Sequence, residues 1–202
     1  MSCKFLPLAA FLLVIPASIS TAQTQRTLLR QCGSVDLKVA VEACTKFIDS
    51  QAGHGIDLAF AYSHRGYAKL MFRDDDAAIK DFTSLIDMNV HSPDAFTYRG
   101  QAYFRTGEYD RALADYDQAI RLRSNSPVTF NNRGVVYRVR GDYDRAIEDF
   151  NEALRLNSKD AGALNNLGFI KFSRGQFADA AENFMAATRT SPKNLLNDLK
   201  LY

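Results

Sequence analysis

The chain has 202 residues, of which 47% are hydrophobic and 24% are charged. This length and this balance are typical of one soluble domain or of one short array of repeats. The formal net charge is only +2. Because no block of lysine or arginine stands out either, the composition argues against a nucleic-acid-binding protein.

Residues 1–22 have the features of a bacterial secretory signal. Lys4 supplies a positive charge, residues 5–15 form an apolar run, and small residues precede Ala22, after which we expect cleavage. The alternative is an uncleaved membrane anchor, but a helix over that run would rise about 16 Å, against a bilayer core of about 30 Å. We therefore predict an exported protein, periplasmic or secreted, without stable membrane insertion after cleavage.

The segment 23–58 is predicted to cap the N-terminal end of the fold. It holds Cys32 and Cys44, the two cysteines that remain after cleavage. In an oxidising compartment such a pair predicts one disulfide, although two buried thiols would also fit. The histidines have no metal-ligand spacing, so we expect neither a metal nor a cofactor. A helix is predicted over 37–48, followed by a loop over 51–57.

A period of 34 residues runs through the rest of the chain. One column is small and would let two helices approach closely: Gly66, Gly100, Gly134 and Gly168. A second column would end the first helix of each unit in a left-handed conformation: Arg73, Gly107, Gly141 and Gly175. A third is aromatic and would fill the space between units: Phe82, Tyr116, Phe150 and Phe184. Such hairpins must stack to bury their apolar faces.

The segments GEYDRALADYDQAI and GDYDRAIEDFNEAL closely resemble the second helix of the tetratricopeptide repeat (TPR). The resemblance implies an all-α fold without a sheet, in which helical hairpins form a solenoid with a right-handed superhelix. The repeats are placed at 59–92, 93–126, 127–160 and 161–194. Residues 195–202 are apolar enough to act as a short C-terminal cap.

An arginine precedes the first glycine column in three of the four copies, and an aspartate follows each arginine after 16 residues. The pairs are Arg65 with Asp81, Arg99 with Asp115, and Arg133 with Asp149. In the fourth copy both members change together, to Leu167 and Asn183. This joint change predicts an ion pair between helices. The alternative is a ladder of arginines that binds an anion.

The resemblance also implies that the first helices of the repeats line a concave groove that binds a partner. Amide side chains there suit a peptide backbone, arginines suit a carboxylate, and aromatic rings suit apolar side chains. The alternative for each position is a role in packing. The carboxylate clamp of TPR co-chaperones is absent, because no lysine or arginine occupies its positions. The predicted partner-binding residues are Tyr98, Gln101, Arg105, Asn131, Asn132, Arg138, Asn165 and Phe169.

These features predict a non-catalytic scaffold or adaptor for protein–protein interaction in the bacterial cell envelope. The chain lacks a Gly-rich phosphate loop, a Gly-x-Ser-x-Gly turn and a His-Glu-x-x-His helix, which argues against an enzyme. A third alternative is a self-associating structural protein, such as a homodimer, that stacks through its end repeats. The partner is expected to be a protein or peptide, and the sequence does not identify it.

Overall fold

A computed structural model describes residues 17–51, 53–88, 91–123 and 125–190, with side chains from residue 22 onward. Residues 1–16, residues 191–194 and the predicted cap at 195–202 lie outside the described residues. Within the described ranges the chain is all-α and has no strand, as predicted. Its helices are α1 (Ala17–Cys32), α2 (Leu37–Asp49), α3 (Gly55–Met71), α4 (Asp75–Asp87), α5 (Pro93–Arg105), α6 (Tyr109–Leu122), α7 (Pro127–Val139), α8 (Tyr143–Leu156), α9 (Ala161–Ser173) and α10 (Phe177–Thr190).

The helices pack as consecutive hairpins. Each first helix (α3, α5, α7 and α9) packs on the second helix that follows it (α4, α6, α8 and α10), and each of α4, α6 and α8 packs on the next first helix. The first helices of successive repeats also pack on each other, whereas no comparable packing joins the second helices in the described part of the chain. The first helices therefore lie on the inner side of a curved array.

The helix ends follow from local sequence. Ser92 and Ser126 accept hydrogen bonds from the third backbone N–H of α5 and α7, and a proline occupies the first turn of each helix. This is the arrangement that favours helix initiation. At the other end of α7, Gly141 has a φ of 79°, the left-handed conformation that was predicted there. Arg73 adopts the same conformation, with a φ of 65°, in the copy that lacks the glycine.

The small column is required by a close approach inside each hairpin. A Cβ added to Gly134 would lie 2.7 Å from Cε1 of Phe150, and one added to Gly100 would lie 2.9 Å from Cε1 of Tyr116. The aromatic ring therefore packs first on the glycine of its own repeat. Phe150 also shares a core cluster with residues of α9, so it fills the space between units as well.

The N-terminal end holds a helix that was not predicted. The hairpin of α1 and α2 places Cys32 against Cys44, and a disulfide joins them in a buried cluster with Phe47. The predicted cleavage position after Ala22 lies within α1. The predicted loop over 51–57 was too long, because α3 begins at Gly55. None of the described helices combines the length and hydropathy needed to cross a bilayer.

Candidate partner-binding groove

The inner face of the array is continuous across the first helices. The rings of Tyr67 on α3 and Tyr98 on α5 meet edge to face, with centroids 5.4 Å apart. The hydroxyls of Thr97 on α5 and Thr129 on α7 lie 3.0 Å apart. Asn166 on α9 donates a hydrogen bond of 3.3 Å from Nδ2 to Oδ1 of Asn131. These contacts fix neighbouring first helices side by side, so residues 34 apart form rows that run across the groove.

The three Arg–Asp pairs exist as predicted. The guanidinium of Arg99 donates two hydrogen bonds of 2.8 Å to the carboxylate of Asp115, which is buried. The other two pairs have the same double contact, with distances of 2.7 to 2.9 Å. Hydrogen bonding to Asp115 raises the pKa of Arg99 and outweighs the opposing effect of burial. These arginines are therefore structural and do not form a free anion-binding ladder.

Each of these arginines also reaches the preceding repeat, which the sequence analysis missed. Nη1 of Arg99 donates to Oγ1 of Thr83 at 3.1 Å, and Nη1 of Arg133 donates to Oδ1 of Asp117 at 2.6 Å. One guanidinium thus holds together two helices of its own repeat and the second helix of the previous one. The signal in the sequence was a polar side chain 16 residues before each of these two arginines.

Arg105, a predicted partner-binding residue, is occupied by the protein itself. Its Nη2 donates a hydrogen bond of 2.8 Å to the carbonyl oxygen of Leu70 and also contacts the carboxylate of Asp75. Both charged side chains are only 15% exposed. Arg105 therefore holds the second repeat to the first. The ion pair with Arg105 also explains why residue 75 is an aspartate, whereas the later repeats have an aromatic residue at the equivalent position.

Arg138 differs from Arg105, although both were predicted to take a carboxylate. It lies half-buried in the last turn of α7. Its Nε is buried and has no hydrogen-bond partner. None of the hydrogen bonds or ion pairs between described residues involves its side chain. The structure therefore leaves this guanidinium available.

The remaining predicted residues all lie on the first helices. Phe169 is 48% exposed, and its ring meets that of Phe184 edge to face at 5.3 Å. Tyr98 is half-buried between Tyr67 and Phe82, and this burial raises its pKa. The four remaining predicted side chains are half-exposed: Gln101, Asn131, Asn132 and Asn165. Apart from the hydrogen bond between Asn131 and Asn166, no hydrogen bond joins them to another described residue.

Large apolar side chains are exposed on the first helices as well. Phe172 is 58% exposed and, with Phe169, forms an aromatic patch on α9. The exposed apolar residues on α3, α7 and α9 include Phe60, Tyr67, Met71, Val128, Val139, Phe169 and Phe172. Within the described ranges, no three acidic, histidine or cysteine side chains are placed to share a metal ion. Together with the amide side chains and Arg138, these apolar residues give the inner face amide, cationic and aromatic groups, which are typical of surfaces that recognise peptides.

Family models support the assignment that the geometry indicates. Residues 100–139 match a model described as TPR repeat, and residues 127–160 match one described as tetratricopeptide repeat. Residues 100–160 of the chain therefore consist of tetratricopeptide repeats. Comparison of the sequence with curated proteins gives no match.

Solved structures of MamA and YrrB have the same fold. A crystal structure of MamA superposes with a TM-score of 0.70 at 19% identity, over 90% of this chain and 99% of that one. MamA from Desulfovibrio magneticus RS-1 gives a TM-score of 0.68 at 16% identity, over 89% and 97%. YrrB, described as a TPR protein with an unusual peptide-binding site, gives 0.66 at 20% identity, over 92% and 97%. At these identities the similarity establishes the fold.

Proposed function

We propose that this TPR protein is a non-catalytic scaffold of the bacterial cell envelope that binds a segment of a partner protein in the groove of its first helices. The exposed aromatic patch of Phe169 and Phe172 is the observation that carries the proposal. Large exposed apolar patches on soluble proteins commonly mark interaction sites. The described peptide-binding site of YrrB, which has the same fold, supports the same kind of ligand.

The envelope setting rests on two separate features of the N-terminal region. Residues 1–22 have the composition of a secretory signal. The disulfide between Cys32 and Cys44 is of the kind that forms and persists in oxidising compartments. A partner in the same compartment would meet the groove after export.

Site-specific photo-crosslinking tests where the partner binds. A benzoylphenylalanine at Met71, Val139 or Phe169 would place the reactive group on exposed groove positions of three different repeats. We expect these variants, expressed in a bacterium that exports the protein, to crosslink to the same partner. Mass spectrometry of the adduct would identify the crosslinked segment of that partner.

Matched controls lie on the outer surface of the second helices. Arg121, Arg155 and Arg189 are 34 residues apart and exposed on α6, α8 and α10. The same crosslinker at these positions should give no adduct with that partner. Adducts formed equally from both surfaces, or only from the second helices, would contradict binding in the groove.

A second candidate function is self-association, because apolar side chains are exposed at the last described hairpin. Phe177 is 62% exposed and Met185 is 51% exposed on α10. The equivalent residues of α8, Tyr143 and Asn151, are also exposed, so these side chains lie outside the face that α9 covers in the preceding repeat. A second copy that contacts α10 at this end would bury Phe177 and Met185.

Light scattering during size-exclusion chromatography separates the two functions. A dimer that forms with increasing concentration, and that Phe177→Ser/Met185→Ser converts to a monomer, would support stacking through this end. A wild-type protein that stays monomeric at high micromolar concentration would exclude self-association as the main function and leave the scaffold proposal standing.

A further inference from the structure

Arg138 occupies a position that is apolar in every other repeat. The residues 34 positions away along the array are Leu70, which is buried, Phe104, which is half-buried, and Phe172, which is exposed. The row across the groove therefore reads leucine, phenylalanine, arginine, phenylalanine. A single cation in an apolar row requires a physical reason.

Other arginines that join neighbouring repeats have an acidic partner. Arg105 pairs with Asp75, Arg140 with Asp110, and Arg174 with Asp144. Arg133 pairs with Asp117 of the preceding repeat. Arg138 lies among these residues but has no such partner in the part of the chain that the structure describes.

The acidic residues near Arg138 in sequence are committed to other cations. Asp142 contacts Arg145 at the start of α8, and Asp144 accepts a hydrogen bond of 2.8 Å from Arg174. The Nε atoms of Arg138 and Arg105 are both buried without a partner, but only Arg105 has a bonded terminal nitrogen, so the terminal N–H groups of Arg138 remain unsatisfied among the described residues. A half-buried guanidinium without a partner is unfavourable, and a carboxylate would satisfy its terminal N–H groups through charge-assisted hydrogen bonds.

We propose that Arg138 is the anion-binding subsite of the groove and that the partner segment presents a carboxylate to it. The same segment places a large apolar side chain against Phe172, about three residues away. This inference rests on the proposed function, because it names the chemistry of the segment that the groove binds. It assigns a binding role to Arg138 and a structural role to Arg105.

The spacing of three residues follows from the geometry of the two chains. Packed helix axes lie about 8–10 Å apart, so Arg138 and Phe172, at equivalent positions of α7 and α9, are separated by about that distance. An extended polyproline II segment rises about 3.1 Å per residue with three residues per turn. Its side chains three residues apart thus point to one side with a spacing of about 9 Å.

A library of randomised 12-residue peptides, displayed on phage, is the probe for this subsite. It would be selected in parallel against the wild-type protein, Arg138→Met and Arg138→Lys. Arg189→Met serves as the matched control, because Arg189 is exposed on α10 outside the groove. Circular dichroism would first establish that each variant keeps the wild-type helix content.

With the wild-type protein and with Arg189→Met, we expect enrichment of Asp or Glu three residues from a Phe, Leu or other large apolar residue. Arg138→Met should lose the acidic preference and keep the apolar one. Arg138→Lys should keep the acidic preference with weaker binding, because an ammonium group lacks the planar fork of a guanidinium.

Synthetic versions of the selected peptides measure the effect and identify the source of the carboxylate. Changing the acidic residue to its amide should weaken binding to the wild-type protein about tenfold to a hundredfold, as expected for a charge-assisted hydrogen bond. The same change should have no effect with Arg138→Met. Peptides with free and amidated C-termini distinguish a side-chain carboxylate from a terminal one.

The outcomes separate this inference from the proposed function. Selected peptides that bind in the groove without an acidic preference, or whose acidic preference survives Arg138→Met, would overturn the anion subsite and leave the groove intact. Failure of the wild-type protein to enrich any peptide would overturn the anion subsite, and the crosslinking experiment would decide on the groove independently.

Discussion

Arg99 and Asp115 face each other across the two helices of the second repeat, and two hydrogen bonds of 2.8 Å join their charged groups. A third hydrogen bond ties Arg99 to Thr83 in the preceding repeat. The pair therefore contributes to the hairpin and to the stacking of hairpins at once. Because Asp115 is buried, its charge depends on this arginine for compensation.

The first prediction concerns this dependence. Arg99→Leu should lower the free energy of unfolding by about 3–5 kcal/mol, because it leaves a buried carboxylate unpaired. Arg99→Leu/Asp115→Asn should cost less, since the fourth repeat has Leu167 and Asn183 at these positions. Urea unfolding monitored by circular dichroism measures all three proteins. A double variant less stable than either single variant would contradict the coupling.

The second prediction concerns the close contact of Gly134 with Phe150. Gly134→Ala would gain about 1 kcal/mol of helix propensity. The added Cβ would meet the ring at 2.7 Å, and overpacking of this kind costs about 1–3 kcal/mol. We therefore expect no net gain and a loss of up to about 2 kcal/mol in thermal or urea unfolding.

A compensating variant checks the cause. Gly134→Ala/Phe150→Leu should recover part of the stability relative to Phe150→Leu alone, because the smaller side chain leaves room for the methyl group. If Gly134→Ala by itself raises the melting temperature, the close approach does not constrain this position and helix propensity dominates.

The third prediction concerns the disulfide of the N-terminal hairpin. Joining Cys32 to Cys44 closes a short loop, which should stabilise this hairpin by about 3 kcal/mol in the chain-entropy model. Cys32→Ser/Cys44→Ser should therefore unfold at lower urea concentration, with the loss confined to α1 and α2 in hydrogen exchange. Alkylation of the exported protein after denaturation but without reduction, followed by mass spectrometry, should leave both cysteines unmodified. Two alkylated thiols would exclude the bond.

The repeats could be predicted because their sequence carries the same constraint four times. The glycines that contact aromatic rings recur with a fixed period. The ion pair of Arg99 with Asp115 could be predicted because the arginine and the aspartate are both replaced in the fourth copy. Helix α1 could not be predicted in this way. Its sequence is rich in serine and threonine, which are weaker helix formers, and it packs on α2 through Leu28 and Leu29.

The sequence predicted which residues lie on the first helices, but not which of their side chains are free of partners within the protein. Resemblance placed Arg105 and Arg138 on the same face. The partner of Arg105 is Asp75, 30 residues earlier, in a column where the later copies are aromatic. Because this pair occurs once, the sequence offers no second copy in which both residues change together. Only the packed structure separates an occupied arginine from an available one.

The last prediction uses that separation to test the groove. Arg105→Met should lower the melting temperature, because it leaves Asp75 half-buried without its cation, and it should not change the yield of partner captured by the folded protein. Asn132→Ala/Arg138→Ala should do the opposite. Neither side chain bonds another described residue, so helicity and melting temperature should stay close to wild type while partner recovery falls. Recovery of every partner at the wild-type yield by this folded double variant would show that the groove is not the binding surface, and the outer face or the N-terminal hairpin would then be tested by the same comparison.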